Sequence, residues 1–215
     1  MKIYTIYSAT HENLYKNYFL ESLKLNCSED RFQVVATEVS QDCPAGTFYS
    51  PGWRLAMSRK FDVYLEAVKQ NFGQIFIWAD VDIYFLKSFK KTLLEELGQE
   101  DIAFQTEING QFCAGFFVCR ANHRTFYYFQ KTKEAYDAGN YEDDQQALSY
   151  NQYMVRRTAL SSKFWTFGQD TPKLWRGEDF QINSKDILLA HACNVHGVKN
   201  KENFLSKVKE KHLLL

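Results

Sequence analysis

A chain of 215 residues is long enough for one domain with a substantial core, and 45% apolar with 16% aromatic residues excludes a disordered segment. Lys plus Arg equals Asp plus Glu at 26 each, so no global field draws the protein to nucleic acid, and an anionic ligand has to be held by a local site. No run approaches the roughly 20 apolar residues of a membrane helix, and Met1 to Tyr7 reads as a core strand, its apolar run being too short for a signal sequence. Five cysteines (Cys27, Cys43, Cys113, Cys119, Cys193) are odd in number and lack paired spacing. They fit free thiols in a reducing compartment better than zinc or a disulfide framework, so a soluble, cytoplasmic protein is expected.

In chain order, residues 2–9 read as a strand ending at Tyr7-Ser8-Ala9-Thr10, followed by a helix from about His11 to Asn26 and a strand near Phe32 to Val39. Residues 40–52, with Pro44, Gly46, Pro51 and Gly52, form a loop. Phe61, Tyr64, Leu65 and Val68 then recur at i, i+3, i+4 and i+7, one apolar helix face. Asn71-Phe72-Gly73 stops that helix. An apolar strand, Ile75 to Trp78, follows at once and delivers Asp80 and Asp82 with a single apolar residue between them. Two carboxylates at the end of a core strand need a cationic partner, and hard oxygen ligands suit Mg2+ or Mn2+.

Beyond it, Asp101 to Glu107 and Phe112 to Arg120 read as strands, with an aromatic helix from about Arg124 to Ala138. Asp143-Asp144 open another helix running through Leu148 to Met154, acidic end first as the helix dipole favours. An irregular aromatic segment follows, with Phe164, Trp165, Phe167, Trp175 and Phe180. Ile187 to His191 is again an apolar strand with a polar residue at its end, and a Lys-rich helix closes the chain. Alternating strands and helices argue for an α/β fold with a mostly parallel sheet, in which ligands gather beyond the carboxyl ends of strands, where Ser8, Asp80 and Asp82 would sit.

The ordered set of Trp53 and Lys60, Phe76-Ile-Trp-Ala-Asp-Val-Asp-Ile83, Ile102-Ala-Phe-Gln-Thr-Glu107, Cys113-Ala-Gly-Phe-Phe117, Asp144-Gln145, Lys163-Phe164, Trp175-Arg-Gly177 and His191 to Lys201 resembles the nucleotide-diphospho-sugar transferases, glycosyltransferases of the GT-A fold. The resemblance covers nearly the whole length and implies a single Rossmann-like domain over 1–215, mixed and mostly parallel, flanked by helices. It implies a hexosyl- or deoxyhexosyltransferase with a nucleotide-diphosphate sugar donor (UDP favoured), a glycan or glycoconjugate acceptor, and Mn2+ or Mg2+. Asp80 and Asp82 match the family's Asp-x-Asp motif. His191 matches its third metal ligand, with His196 beside Gly197 as the rival. Tyr7, Ser8, Ala9, Trp53, Lys60, Ala79, Asp80, Gly197 and Lys201 (or Lys199) are the implied nucleotide or donor contacts. Asp144, Gln145 and Glu107 are the implied catalytic residues, with Asp144 and Gln145 touching donor sugar or acceptor. Gln105 and Glu107 alternate on a strand that would line the acceptor pocket, and the aromatics from Phe164 to Trp175 are core packing or a sugar-stacking wall or lid.

Relatives with this His-containing motif mostly retain anomeric configuration; an inverting enzyme would need Glu107 or Asp144 as base. The sequence departs from the family at Cys193-Asn194, which replace an Asn-Trp pair, and at Ala114, where Asn is common. Two other readings compete. One is a haloacid-dehalogenase-type phosphatase with the first Asp as nucleophile; the other is a nucleotide- or carbohydrate-binding relative without turnover. A cytosolic bacterial or viral transferase is the preferred picture.

Overall fold

A computed structural model describes residues 1–108, 110–182 and 185–213. Strand β1 (Lys2–Tyr7) leads into two short helices, α1 (Glu12–Leu14) and α2 (Glu21–Asn26), joined by a π-helical turn over Tyr15–Leu20 where a continuous helix is predicted. The widened turn buries both Leu14 and Phe19, five residues apart, and stacks Tyr15 on Tyr7 with ring centroids at 4.5 Å. Strand β2 (Gln33–Glu38), helix α3 (Trp53–Gln70), strands β3 (Ile75–Ala79) and β4 (Ile83–Phe85) and helix α4 (Lys90–Leu97) follow. Next come the strands β5 (Ile102–Thr106) and β6 (Phe112–Arg120) and helices α5 (His123–Asp137) and α6 (Asp144–Tyr150). Strands β7 (Arg157–Ala159) and β8 (Phe164–Thr166), helix α7 (Phe167–Asp170), strand β9 (Leu189–His191) and helix α8 (Val198–Leu213) complete the order.

The main sheet has the order β2-β1-β3-β6-β5-β7, and every neighbouring pair is parallel except those made by β6, which runs against β3 and β5. This is the mixed, mostly parallel α/β sheet flanked by helices expected from the sequence. Strand β3 shows why it is buried on both faces. Phe76 and Trp78 pack with α3 and α5 residues such as Phe61, Tyr64 and Phe129, while Ile77 and Ala79 point the other way, into a cluster with Phe19, Leu93 and Phe116. A second sheet, β4-β9-β8, lies beside it. Its strands are three residues each, too short to show a periodicity.

Strand β6 carries the feature that shapes the site. Between Phe104 and Thr106 of β5, their partners on β6 step from Phe117 to Phe112, a bulge in the bulky strand. The inward alternation slips with it: Phe112 and Ala114 share a face with Phe117 and Cys119. The irregularity lies on the β5 side alone; toward β3 the register continues unbroken past Ala79 opposite Phe116, and the Asp80 amide donates to the Gly115 carbonyl at 2.7 Å.

Asp101, fully buried at the start of β5, ties three segments together. It accepts from Arg124 Nε at 2.8 Å, Asn122 Nδ2 at 2.8 Å and the Arg156 amide at 3.0 Å. Burial opposes its charge, but these donors hold the carboxyl well below the usual range. Its stability is present above the unfolded carboxylate pKa of about 3.9 and is lost as pH falls below it. Asp101→Ala should cost about 3 kcal/mol at neutral pH and flatten the acid limb of the stability curve, measured by urea unfolding at stepped pH. An unchanged midpoint would show the network to be dispensable.

Candidate functional site

The three acid and imidazole side chains converge because two strand ends meet. Asp80 follows β3 directly. After Val81, the carbonyl of Asp82 accepts from the Ala192 amide at 3.0 Å, and β4 then pairs antiparallel with β9 in a register that sets Ile83 opposite His191. One ligand atom each from Asp80, Asp82 and His191 lies within 4.8 Å of the other two. Two carboxylate oxygens and an imidazole nitrogen at that spacing form a donor set suited to Mn2+ or Mg2+.

Gly115 makes room for the imidazole. A Cβ there would stand 2.1 Å from His191 Cε1 and 2.7 Å from its Nε2. Behind the ring, His191 Nδ1 lies 2.9 Å from Gln105 Oε1 and 3.5 Å from Cys113 Sγ, while Nε2 faces Asp82 Oδ1 at 3.4 Å. Gln105 is in turn fixed by its own amide donating to the carbonyls of Phe164 and Trp165, both at 3.0 Å. A backing hydrogen bond of this kind sets which ring nitrogen faces the cation.

The charges are paired with equal care. Lys60, on α3 and only 4% exposed, places Nζ 2.9 Å from Asp144 Oδ2 and 3.1 Å from Asp80 Oδ2. Burial works against its charge, yet Asp144 and Asp80 keep the ammonium firmly protonated. Lys201 Nζ, from α8, lies 2.7 Å from Asp82 Oδ2. Against the burial that favours its neutral form, Asp82 is held well below the usual carboxylate range by Lys201 and His191. Burial likewise opposes a charged His191, but Cys113 and Asp82 outweigh it and lift the imidazole to about 10. Asp80, whose carboxyl also accepts from Trp78 Nε1 at 2.9 Å, is raised by burial despite Lys60.

These groups form the floor of a cavity of about 450 Å3 at the carboxyl ends of β1 and β3. Tyr7, Ser8, Trp53, Lys60, Asp144 and Gln145 line it with Asp80, Asp82, His191 and Lys201. Glu107 stands just off the lining, its Oε1 accepting from Cys193 Sγ at 2.9 Å and Gln145 Nε2 at 3.2 Å. The Gln145 carboxamide is thereby oriented, since its Oε1 accepts from the Ala114 amide at 3.3 Å.

Several implied contacts lie elsewhere. The Ala79 side chain is fully buried in the core, because strand alternation turns it to the face opposite Trp78. Ala9 is exposed in the turn after β1, and Gly197 is off the lining, its amide donating to the Gly46 carbonyl at 3.3 Å. Gln105 faces His191 instead of an acceptor pocket. Of the two candidate lysines, Lys199 is 81% exposed and pairs with Glu202, leaving Lys201 at the floor. His196 lines the cavity against Phe48 but stands outside the Asp80, Asp82 and His191 cluster. The aromatics Phe164, Trp165, Phe167 and Trp175 are core, not a wall.

His11 and Tyr49 line the cavity without a sequence signal strong enough to single them out. His11 Nδ1 is within 3.1 Å of both Ser8 Oγ and Thr10 Oγ1. Burial, helped by the nearby Lys201 ammonium, lowers it to about 4, so the ring is neutral at physiological pH.

Comparison with known proteins agrees with this architecture. The sequence model for nucleotide-diphospho-sugar transferases matches residues 21–205. The chain is similar to the crystal structure of a glycosyltransferase involved in glycosylation of the major capsid of PBCV-1, at 12% identity and a TM-score of 0.64, over 96% of this chain and 98% of that one. It is also similar to the galactosyltransferase LgtC in complex with donor and acceptor sugar analogues, at 12% identity and a TM-score of 0.57, over 96% of both chains. At such identities the likeness is one of fold, the GT-A fold. No curated protein matches the chain in sequence.

Two outcomes test the geometry. Gly115→Ala should displace the His191 ring and weaken Mn2+ binding by ~10–100-fold, as loss of a supporting contact typically does, while circular dichroism stays native; undiminished affinity would remove His191 from the site. An unfolded His11 takes up a proton near pH 6.5 but the folded one only near 4, so its stability contribution is present above 6.5 and lost as pH falls toward 4. The loss is about 3 kcal/mol at most, and His11→Gln should flatten that part of a pH-stepped urea titration.

Proposed function

The chain belongs to the nucleotide-diphospho-sugar transferase family and is a glycosyltransferase, and on that premise we propose that it uses Mn2+ or Mg2+ to move a hexosyl or deoxyhexosyl group from a UDP-sugar to a hydroxyl of a glycan or glycoconjugate, with retention. The convergence of Asp80, Asp82 and His191 with the Lys201 ammonium on one cavity floor carries this reading. The whole chain acts as one transferase unit, working in the cytoplasm as its odd, unspaced cysteines suggest.

When bound by Asp80, Asp82 and His191, the divalent ion supplies Lewis-acid stabilisation of the charge that grows on the departing diphosphate. Lys201 is the chain's own contribution there: an ammonium whose Asp82 partner can turn to the cation, leaving Nζ to donate to a phosphate oxygen. Tyr7 and Ser8, at the end of β1, and Trp53, at the start of α3, line the cavity and offer the remote contacts that hold a nucleoside. Lys60 fixes Asp144 at the floor, and Gln145, held between Glu107 and the Ala114 amide, presents a preoriented carboxamide to the sugar.

Retention is supported by what the carboxylates are doing. Asp144 is committed to Lys60, and Glu107 already accepts from Cys193 and Gln145. Neither stands as an unengaged base for an acceptor hydroxyl. The family match sets aside the haloacid-dehalogenase reading, and the intact ion-pair set around Asp80 and Asp82 favours turnover over passive binding.

The test is a thermal-shift titration with UDP and GDP, each with and without Mn2+. UDP with Mn2+ at ~100 times its dissociation constant should add about 2.7 kcal/mol, and the gain should vanish in Asp82→Asn. Stabilisation by GDP in place of UDP would transfer the proposal to a guanosine donor, equal stabilisation by both would contradict the UDP preference, and stabilisation by UDP that ignores Mn2+ would contradict metal dependence.

A further inference from the structure

A second cluster of ligating side chains lies on the far edge of the His191 ring. Glu107 follows β5, Cys113 sits in the bulged start of β6, and Cys193 comes two residues after β9. The neighbouring strands β5 and β6 and the sequence-distant end of β9 thus deliver one carboxylate oxygen and two sulfurs, and these atoms lie within 4.8 Å of one another. Both cysteines are buried and free, and the Cys193 thiol donates to Glu107 Oε1 at 2.9 Å. Cys193 also lines the main cavity, so the cluster has an entry path.

The donor chemistry differs from that of the first site. Asp80, Asp82 and His191 offer oxygen and imidazole, whereas two sulfurs select a soft or borderline ion and disfavour Mg2+ and Mn2+. We propose that Glu107, Cys113 and Cys193 form a second divalent-cation site, selective for a thiophilic ion such as Zn2+, with its fourth position open to the cavity. On binding, each thiol releases its proton to solvent and becomes a thiolate ligand; no oxidant is required. Because Glu107 also holds Gln145, and Cys113 lies against His191 Nδ1, the ion would brace two residues of the donor site from behind.

Co2+ titration of the full chain, stripped of metal and kept reduced, tests this. A near-ultraviolet thiolate-to-cobalt charge-transfer band should grow to saturation, persist with excess Mg2+ and disappear on adding one equivalent of Zn2+. Asp82→Asn should keep the band. Cys113→Ser and Cys193→Ser should each weaken Zn2+ competition by at least ~10-fold, the least that loss of a supporting residue costs. A wild-type spectrum without the band, or a band unchanged in both serine variants, would overturn the proposal. Absence of the wild-type band overturns the proposal whether or not a variant folds, one folded serine variant suffices to assign the band, and the readout is independent of any nucleotide binding.

Discussion

A buried carboxylate at the end of a core strand is tolerated only where cations meet it, and Asp82 is that constraint for this molecule. Its partners come from the opposite end of the chain: His191 from β9 and Lys201 from α8. Meeting them requires β4 to cross out of the main sheet and pair with β9, which is why a second small sheet exists beside the first. Lys60 does the same for Asp80 and Asp144 from α3. Asp80, Asp82 and Asp144 are thus balanced by ammonium and imidazole groups rather than by a dry core. An ion pair of this sort is a poor source of stability, since desolvation offsets much of the attraction. The proposed uptake of a cation and a diphosphate accounts for the arrangement better.

The sequence made the centre of this arrangement legible and its surroundings less so. Ile75 to Ala79 announces itself as a strand because both faces are buried and every residue is apolar, and Asp80 and Asp82 are conspicuous for following it. His191 is conspicuous for the same reason. The partners of these residues are harder to read, because a lysine on a helix looks alike inside and out. Lys199 and Lys201 differ by two residues, roughly 200° around the helix axis, and only the fold shows that the second faces Asp82. Helix α4 opens at Phe89, which supplies no capping side chain, so no start signal marks it. Strands of three residues in β4, β7 and β8 gain their order from neighbours, not from pattern, whereas β9 closes the apolar run from Ile187.

The two departures from the family pattern have structural consequences. Asn194 adopts a left-handed backbone with φ of 60°, a conformation Asn accepts more readily than a bulky aromatic, and its carbonyl receives the Trp175 amide at 2.9 Å. Cys193 lines the cavity and donates to Glu107 Oε1 at 2.9 Å. Ala114, in the bulge, replaces a side chain with backbone chemistry: its amide orients Gln145 and its carbonyl receives Tyr64 Oη at 3.3 Å and Lys60 Nζ at 3.4 Å. Gly115 beside it leaves the space that the His191 ring fills. One irregularity in β6 therefore sets both the space around the His191 ring and the orientation of the Gln145 amide.

The proposed function stands on Asp80, Asp82 and His191 acting as one divalent-cation site. The most direct measurement is the electron paramagnetic resonance signal of free aqueous Mn2+ as protein is added. Wild-type protein should quench that signal stoichiometrically, and Asp82→Asn and His191→Ala should each restore it at the same protein concentration while remaining folded. Equal quenching by all three proteins, or none by the wild type, would contradict the account.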